Sequence, residues 1–218
     1  MTQHPTTIAS NRREYGQLGL DKHDMADSPW VQFDRWFAEA VSSEVLDPTA
    51  MVLSTVDPQG HPDARVVLLK GIENNAFVFY TNYNSSKALQ LNATPYAALT
   101  FYWPTLVRQV RIRGPVQRVR DAESDAYFAS RPKASQYSAI ASPQSQIITD
   151  RGYLEAQVEH VMQAHRQSND EVKRPVNWGG FAVFVDEMEF WQGRDNRLHD
   201  RILYAKDDIS WKKERLAP

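Results

Sequence analysis

The 218-residue sequence has no cysteine, which excludes disulfides and thiolate chemistry and is compatible with a reducing compartment. It has almost no net charge: 25 Lys and Arg against 27 Asp and Glu give −2, which argues against a general affinity for nucleic acid although basic residues cluster locally. No apolar run approaches membrane-spanning length, and the opening MTQHPTTIAS lacks the apolar core of a signal peptide. A cytoplasmic chain with no membrane partner is the expectation. There is no G-x-G-x-x-G fingerprint, phosphate loop or G-x-S-x-G elbow, so nucleotide-triphosphate chemistry and acid–base hydrolysis have no support. The six histidines lack metal-ligand spacing; His160 and His165 are five apart and do not share a helical face, so no metal is expected. Internal repeats, low-complexity tracts and a clear domain boundary are also missing.

What is present is a globular composition, 42% hydrophobic and 24% charged, long enough to bury a substantial core. Residues 1–27 are polar, carry Arg12-Arg13-Glu14-Tyr15 in their middle, and read as a mobile N-terminal arm. Residues 28–218 read as a single domain. Ser28-Pro29 opens a helix, with Trp30, Phe33, Phe37, Ala40 and Val41 as its apolar face and Asp47-Pro48 as its stop. The period changes to that of a strand over Met51–Val56, followed by a turn at Asp57-Pro58-Gln59-Gly60. Val66–Leu69 and Phe77–Tyr80 read as two strands of a hairpin closed by Asn74-Asn75, because Asn tolerates the positive φ of a tight turn. Asn84-Ser85-Ser86 caps a short helix through Leu91 whose free N–H groups favour an anion. Strands over Ala97–Trp103 and Val107–Val119 follow, then helices over Asp121–Arg131 and Asp150–His165. Between those helices Arg131–Gln146 reads as a Ser- and Gln-rich loop, and loops of this length inside a compact domain are functional or disordered. Beyond a polar linker, 167–177, Phe181–Val185 and Met188–Gln192 make one hairpin and Arg197–Tyr204 a final strand. Many short strands with four modest helices predict a mainly β fold, a closed or split β-barrel with helices packed outside.

Two stretches carry candidate chemistry. Arg65, Lys70 and Lys87 stand at the rims of the Arg65–Tyr80 apolar wall, an arrangement that suits a flat aromatic ligand with an anionic tail; the alternative is a core hairpin whose cations reach solvent. In Arg197-Leu198-His199-Asp200-Arg201 the strand period sends Arg197, His199 and Arg201 to one face, where three potential cations repel unless an anion compensates them. An anion site is one reading, an exposed structural edge the other. The strand with Arg108, Arg111, Arg113 and Arg118 reads as a solvated or oligomer-facing surface; an RNA-binding barrel would need aromatic stacking residues in a recognisable motif, which are missing.

The motifs RVVLLKG, FYTNY, RQVRIRG, SQ…QS, WGGF, EFWQG and RLHDR, in this order, resemble the pyridoxamine/pyridoxine 5′-phosphate oxidase family over nearly the whole chain, from Arg12 to Pro218. The resemblance implies an FMN-binding split β-barrel and a homodimer with flavin at the subunit interface. It also implies oxidation of pyridoxamine and pyridoxine 5′-phosphate to pyridoxal 5′-phosphate in vitamin B6 synthesis and salvage. Hydride would pass to flavin, with O2 as acceptor giving H2O2, and ammonia would leave from the amine substrate. The FMN contacts it implies are Arg65, Val66, Val67, Leu68, Leu69, Lys70, Tyr80, Thr81, Ser86, Lys87, Gln109, Gln144, Ser145, Trp191 and Arg201. Lys70, Tyr127, Arg131 and Ser135 would hold the substrate phosphate, Arg197, Leu198 and His199 would meet the reacting end, with Arg197 and His199 catalytic, and Arg12, Arg13, Glu14 and Tyr15 would close over it. Two positions depart from the family pattern: Ser86, where an arginine on the FMN phosphate is usual, and Val185, where proline is common. A non-catalytic flavin- or pyridoxal-phosphate-binding barrel is the alternative, because fold alone does not fix function.

Overall fold

A computed structural model, which describes residues 19–168 and 171–218, shows five α-helices, ten strands and a 3-10 turn among those residues. In chain order these are α1 (Pro29–Ser42), β1 (Ala50–Val56), β2 (Pro62–Leu68), β3 (Gly71–Glu73), β4 (Ala76–Asn82), α2 (Ser86–Ala93), β5 (Tyr96–Trp103) and β6 (Arg108–Arg118). Then come α3 (Asp121–Ser130), α4 (Lys133–Ala141), α5 (Arg151–Ser168), β7 (Trp178–Phe184), β8 (Glu187–Gln192), a 3-10 turn (Asp195–Arg197), β9 (Asp200–Asp207) and β10 (Ser210–Leu216). The described residues form two compact units, one with residues 19–48, Phe101–Arg111 and Glu187–Pro218, the other with Thr49–Thr100 and the described part of Ile112–Asp186. Two of the four divisions fall inside β5 and β6, where no linker composition could mark them in the sequence.

In the first unit the strands run β10-β9-β8-β6, with β8, β9 and β10 antiparallel. Helix α1 buries Gln32, Phe33, Trp36 and Ala40. This face is rotated from the sequence expectation: Val41 is 57% exposed, and Trp36 instead meets Phe190 edge-on at 5.2 Å. Residues 19–27, expected to belong to a mobile arm, are pinned here. Met25 is buried, the Leu20 N–H donates to Asp200 Oδ2 at 2.9 Å, Tyr204 Oη donates to the Ala26 carbonyl at 2.5 Å, and Lys213 Nζ to that of Met25 at 2.9 Å. The rest of the expected arm, with Arg12, Arg13, Glu14 and Tyr15, lies outside the described residues.

The second unit contains β2-β1-β5 and β3-β4-β7, with β7 also pairing with the end of β6. Asn74 (φ 51) and Asn75 (φ 60) form the expected turn, but the hairpin it closes is β3–β4 alone. The expected pairing of Val66–Leu69 with Phe77–Tyr80 does not occur: Leu68 pairs with Ala50, which satisfies the β2 ladder along β1. Phe181–Val185 and Met188–Gln192 likewise do not make one hairpin; β7 runs between β4 and β6 while β8 pairs with β9. The expected loop Arg131–Gln146 contains α4, so the described residues hold five α-helices where four were read. Ser and Gln are tolerated there because the helix is amphipathic only weakly and the Gln136 amide donates to the carbonyls of Ala129 and Arg131 at 3.1 and 2.8 Å.

Candidate cofactor and substrate site

A cleft of about 630 Å³ opens in the second unit between the ends of β2 and β4, the start of α2, the end of α3, and α4. Strand alternation leaves Val66 and Leu68 exposed toward solvent while Arg65 is half-buried. The Arg65 guanidinium is fixed by its neighbours: Nη1 donates to the Leu53 carbonyl at 3.2 Å and Thr55 Oγ1 at 2.6 Å, and Nη2 to Gln90 Oε1 at 3.1 Å while pairing with Asp63. Lys87, second residue of α2, is buried, and its one hydrogen bond among the described residues is a long one, 3.4 Å, to Thr81 Oγ1. Burial, then the nearby Arg65 charge, lowers its pKa below the ordinary lysine value. Gln144 Oε1 accepts from Thr81 Oγ1 and from the Asn82 N–H, both at 3.1 Å, tying the segment after α4 to the end of β4.

The opposite wall is aromatic. Tyr80 and Tyr127 stack at 3.9 Å between centroids, Trp178 lies parallel to Tyr80 at 5.5 Å, and the Arg131 guanidinium covers Trp178 at 4.8 Å. Gly180, opposite Tyr80 in the β4–β7 register, makes this possible: a Cβ there would come within 2.9 Å of the Tyr80 ring and 2.2 Å of Val119. Burial, with Glu73 nearby, pushes the Tyr80 hydroxyl up to about 12, so it stays protonated as a donor at neutral pH. Burial likewise raises Tyr127 and lowers Arg131. Arg131 Nη1 is buried with no hydrogen-bond partner among the described residues. Buried cationic groups without a partner are costly, and an anion entering the cleft would relieve both Lys87 and Arg131.

The structure thus brings Arg65, Val66, Val67, Leu68, Lys70, Tyr80, Thr81, Lys87, Tyr127, Arg131 and Gln144 to one cleft. Asn82, Ser138, Ala139, Ser142 and Trp178 line it as well, although sequence reasoning assigned them no contact. The signals available were the WGGF motif, which contains Trp178, and the Ser-rich composition of α4. Leu69 is buried and donates its N–H to Thr49; Ser86 is exposed at the first position of α2; Ser135 lies one turn before Ser138; Ser145 (φ 70) follows Gln144. None of these four lines the cleft.

Gln109, Trp191, Arg197, Leu198, His199 and Arg201 belong to the first unit. There the expected alternation of Arg197, His199 and Arg201 fails, because β9 begins only at Asp200 and Arg197 sits in the 3-10 turn with φ 60. The Arg194 N–H donates to His199 Nδ1 at 3.1 Å, so the neutral ring carries its proton on Nε2, and the ring lies against Trp191 at 4.8 Å. His199 and Leu198 line a cavity of about 470 Å³ with Arg194, Asp200, Arg215 and residues 216–218. Arg201 grips the buried Glu189 through Nε (2.8 Å) and Nη2 (3.1 Å) and donates through Nη1 to the Ala217 carbonyl at 2.9 Å. The basic strand β6 is also paired: Arg108 covers Trp36 at 4.4 Å and Arg111 reaches Glu189 at 3.2 Å.

Residues 37–165 match the family described as pyridoxamine 5′-phosphate oxidase, and residues 178–218 match the pyridoxine 5′-phosphate oxidase C-terminal dimerisation region. A protein of Legionella pneumophila (strain Paris) named pyridoxine/pyridoxamine 5′-phosphate oxidase is 54% identical over 212 residues, 97% of this chain and 98% of that one. One of the same name from Synechocystis is 48% identical over 213 residues, 97% and 98% of the two chains. Among solved structures, PhzG from Burkholderia lata 383, in complex with tetrahydrophenazine-1-carboxylic acid, superposes with a TM-score of 0.85 at 28% identity over 93% of this chain and 98% of that one. A pyridoxamine 5′-phosphate oxidase-related, FMN-binding protein of Nostoc punctiforme shares the fold, with a TM-score of 0.69 at 21% identity over 88% and 98%. These likenesses give the fold class as a split β-barrel with peripheral helices, as the sequence led one to expect.

Proposed function

This chain belongs to the pyridoxamine 5′-phosphate oxidase family, and on that premise we propose that it oxidises pyridoxamine and pyridoxine 5′-phosphates to pyridoxal 5′-phosphate. Its cofactor is FMN. The observation that carries the reading is the pairing, in one cleft, of an aromatic wall with two buried cationic groups, Lys87 and Arg131 Nη1, that lack an anionic partner among the described residues. FMN, when bound, supplies the two-electron acceptor for hydride from the carbon that bears the substrate's amine or hydroxyl, with O2 as the final oxidant.

The chain's own residues bind and orient. Arg65, Lys87, Thr81, Asn82 and Gln144 would hold the cofactor, with Val66 and Leu68 as its apolar bed and the α2 N-terminus supporting its phosphate. Tyr127, Arg131 and Lys70 would take the substrate phosphate, and the Tyr80–Tyr127–Trp178 wall excludes water on that side. Arg197 and His199 would orient the reacting end, with the His199 Nε2–H as a donor. None of them lines the cleft, and the C-terminal residues match a dimerisation region, so we infer that a second copy of the chain completes the site in a homodimer. The likeness to PhzG favours one second reading, oxidation of a bulkier ring acid in the same cleft. Aerobic turnover of each B6 phosphate ester by FMN-loaded protein, following aldehyde and peroxide, tests the proposal. Folded, flavin-bound protein that turns over neither ester would refute it.

A further inference from the structure

Arg174 lies in the segment leading to β7, four residues before Trp178, and does not itself line the cleft. Its side chain is nevertheless 9% exposed and makes three directed hydrogen bonds. Nε donates to Asp125 Oδ1 at 2.6 Å, Nη2 to Asp121 Oδ1 at 2.9 Å, and Nη1 to the Trp178 carbonyl at 2.5 Å. The two carboxylates lie one turn apart on α3 and are themselves 84% and 60% exposed. Ion pairs with such exposed acids add little stability, so what this fork contributes is geometry. It ties Trp178, at the start of β7, to the same helix that presents Tyr127 and is followed by Arg131. Trp178 and Tyr127 lie 3° from parallel at 6.2 Å, and Arg131 rests on Trp178. Beneath them Val172, Phe128 and Trp178 share one buried cluster.

We infer that Arg174 is a positioning residue for anion recognition: it sets Trp178 against α3 and thereby aims the Arg131 guanidinium into the cleft. The inference rests on the proposed role of Arg131 in holding the substrate phosphate. A planar fork is required, since an ammonium has no fixed geometry with which to reach three acceptors at once.

The test compares wild type, Arg174→Met and Arg174→Lys as full-length, FMN-loaded protein. Steady-state kinetics with pyridoxine 5′-phosphate are paired with direct titration of pyridoxal 5′-phosphate and near-ultraviolet circular dichroism of the aromatic stack. Arg174→Met is expected to raise KM and the pyridoxal 5′-phosphate Kd about tenfold, to change the dichroism, and to leave kcat and flavin content within twofold. Arg174→Lys should restore little of this. Should Arg174→Met not fold, Asp125→Asn, which removes one exposed acceptor, should raise both constants in the same direction by a smaller factor. Unchanged KM and Kd in folded variants, whatever happens to the melting temperature, would make Arg174 merely structural and overturn the inference. Wild type that binds pyridoxal 5′-phosphate but oxidises no ester would defeat the proposed function while the titration still decides the role of Arg174; wild type that does not bind it would defeat both.

Discussion

Ser86 stands exposed at the first position of α2, next to buried Lys87. One charge-assisted hydrogen bond to a phosphate is worth about 1.5–3 kcal/mol, and an exposed position belongs at the lower end. Ser86→Arg should therefore lower the FMN Kd about tenfold, as read by titrating apo-protein with flavin. Equal or weaker affinity would show that Arg65 and Lys87 already satisfy the phosphate. Lys87 itself predicts a pH dependence. Its depressed pKa means that the ammonium is lost, as pH rises, before the ordinary lysine value of about 10.4 is reached. FMN affinity should fall on that alkaline limb. Lys87→Met should bind more weakly at neutral pH and show no such limb; a wild-type affinity that stays flat up to the ordinary lysine value would remove Lys87 from the phosphate site.

At the scale of elements, β8 and β9 are joined by more than their ladder, because Trp191 pairs with Arg201 in register while Arg201 also grips Glu189. Glu189 is 7% exposed and keeps Arg111 if Arg201 is removed. Arg201→Ala should cost about 2 kcal/mol, less than the roughly 3–5 kcal/mol lost when a fully buried pair is broken. Arg197→Ala and His199→Ala should leave melting temperature and flavin content near wild type, because both precede β9, yet lower kcat/KM tenfold or more, a loss of about 1.4 kcal/mol in transition-state stabilisation. Denaturation and flavin retention measured together separate the three. If Arg201→Ala is as stable as wild type but sheds flavin, Arg201 is the cofactor ligand that the family resemblance implies.

On the scale of the whole molecule, Asp200 gathers distant parts of the first unit: the Leu20 N–H, Arg194 and Arg215 all reach its carboxylate. Burial alone would raise its pKa, but the Leu20 N–H and the Arg215 guanidinium hold it below the ordinary value. A carboxylate depressed in the folded state contributes stability that is fully present above its unfolded pKa, about 3.9, and is lost as pH falls through the folded value. Asp200→Asn should melt below wild type at pH 7, and the gap should be narrower at pH 3, below the unfolded carboxylate pKa of about 3.9. A constant gap at both pH values would mean that the carboxylate charge is not what holds residues 19–27 in place.

Some of this was legible in the sequence because it depends on near neighbours alone. The Asn74-Asn75 turn followed from the backbone freedom of asparagine, and α1 from its proline and apolar spacing, although the face it buries was misread by about one residue. Seven motifs in register pointed to the family, and with it to FMN and the split barrel. The pairing of β2 with β1, of β7 with β4, and the helix within the Ser-rich segment were not legible, because alternation shows that a strand has a dry face without saying which strand lies beside it. The face shared by Arg197, His199 and Arg201 looked secure from periodicity, yet a positive φ at Arg197 broke the period where β9 had not begun. The sequence by itself determined the residue types that line the cleft, cations and aromatics among them. Only the tertiary structure decided that Trp178 joins the aromatic wall and that Arg174 bonds both to Trp178 and to α3, because those contacts join segments some 50 residues apart through side chains whose local periodicity is that of any surface.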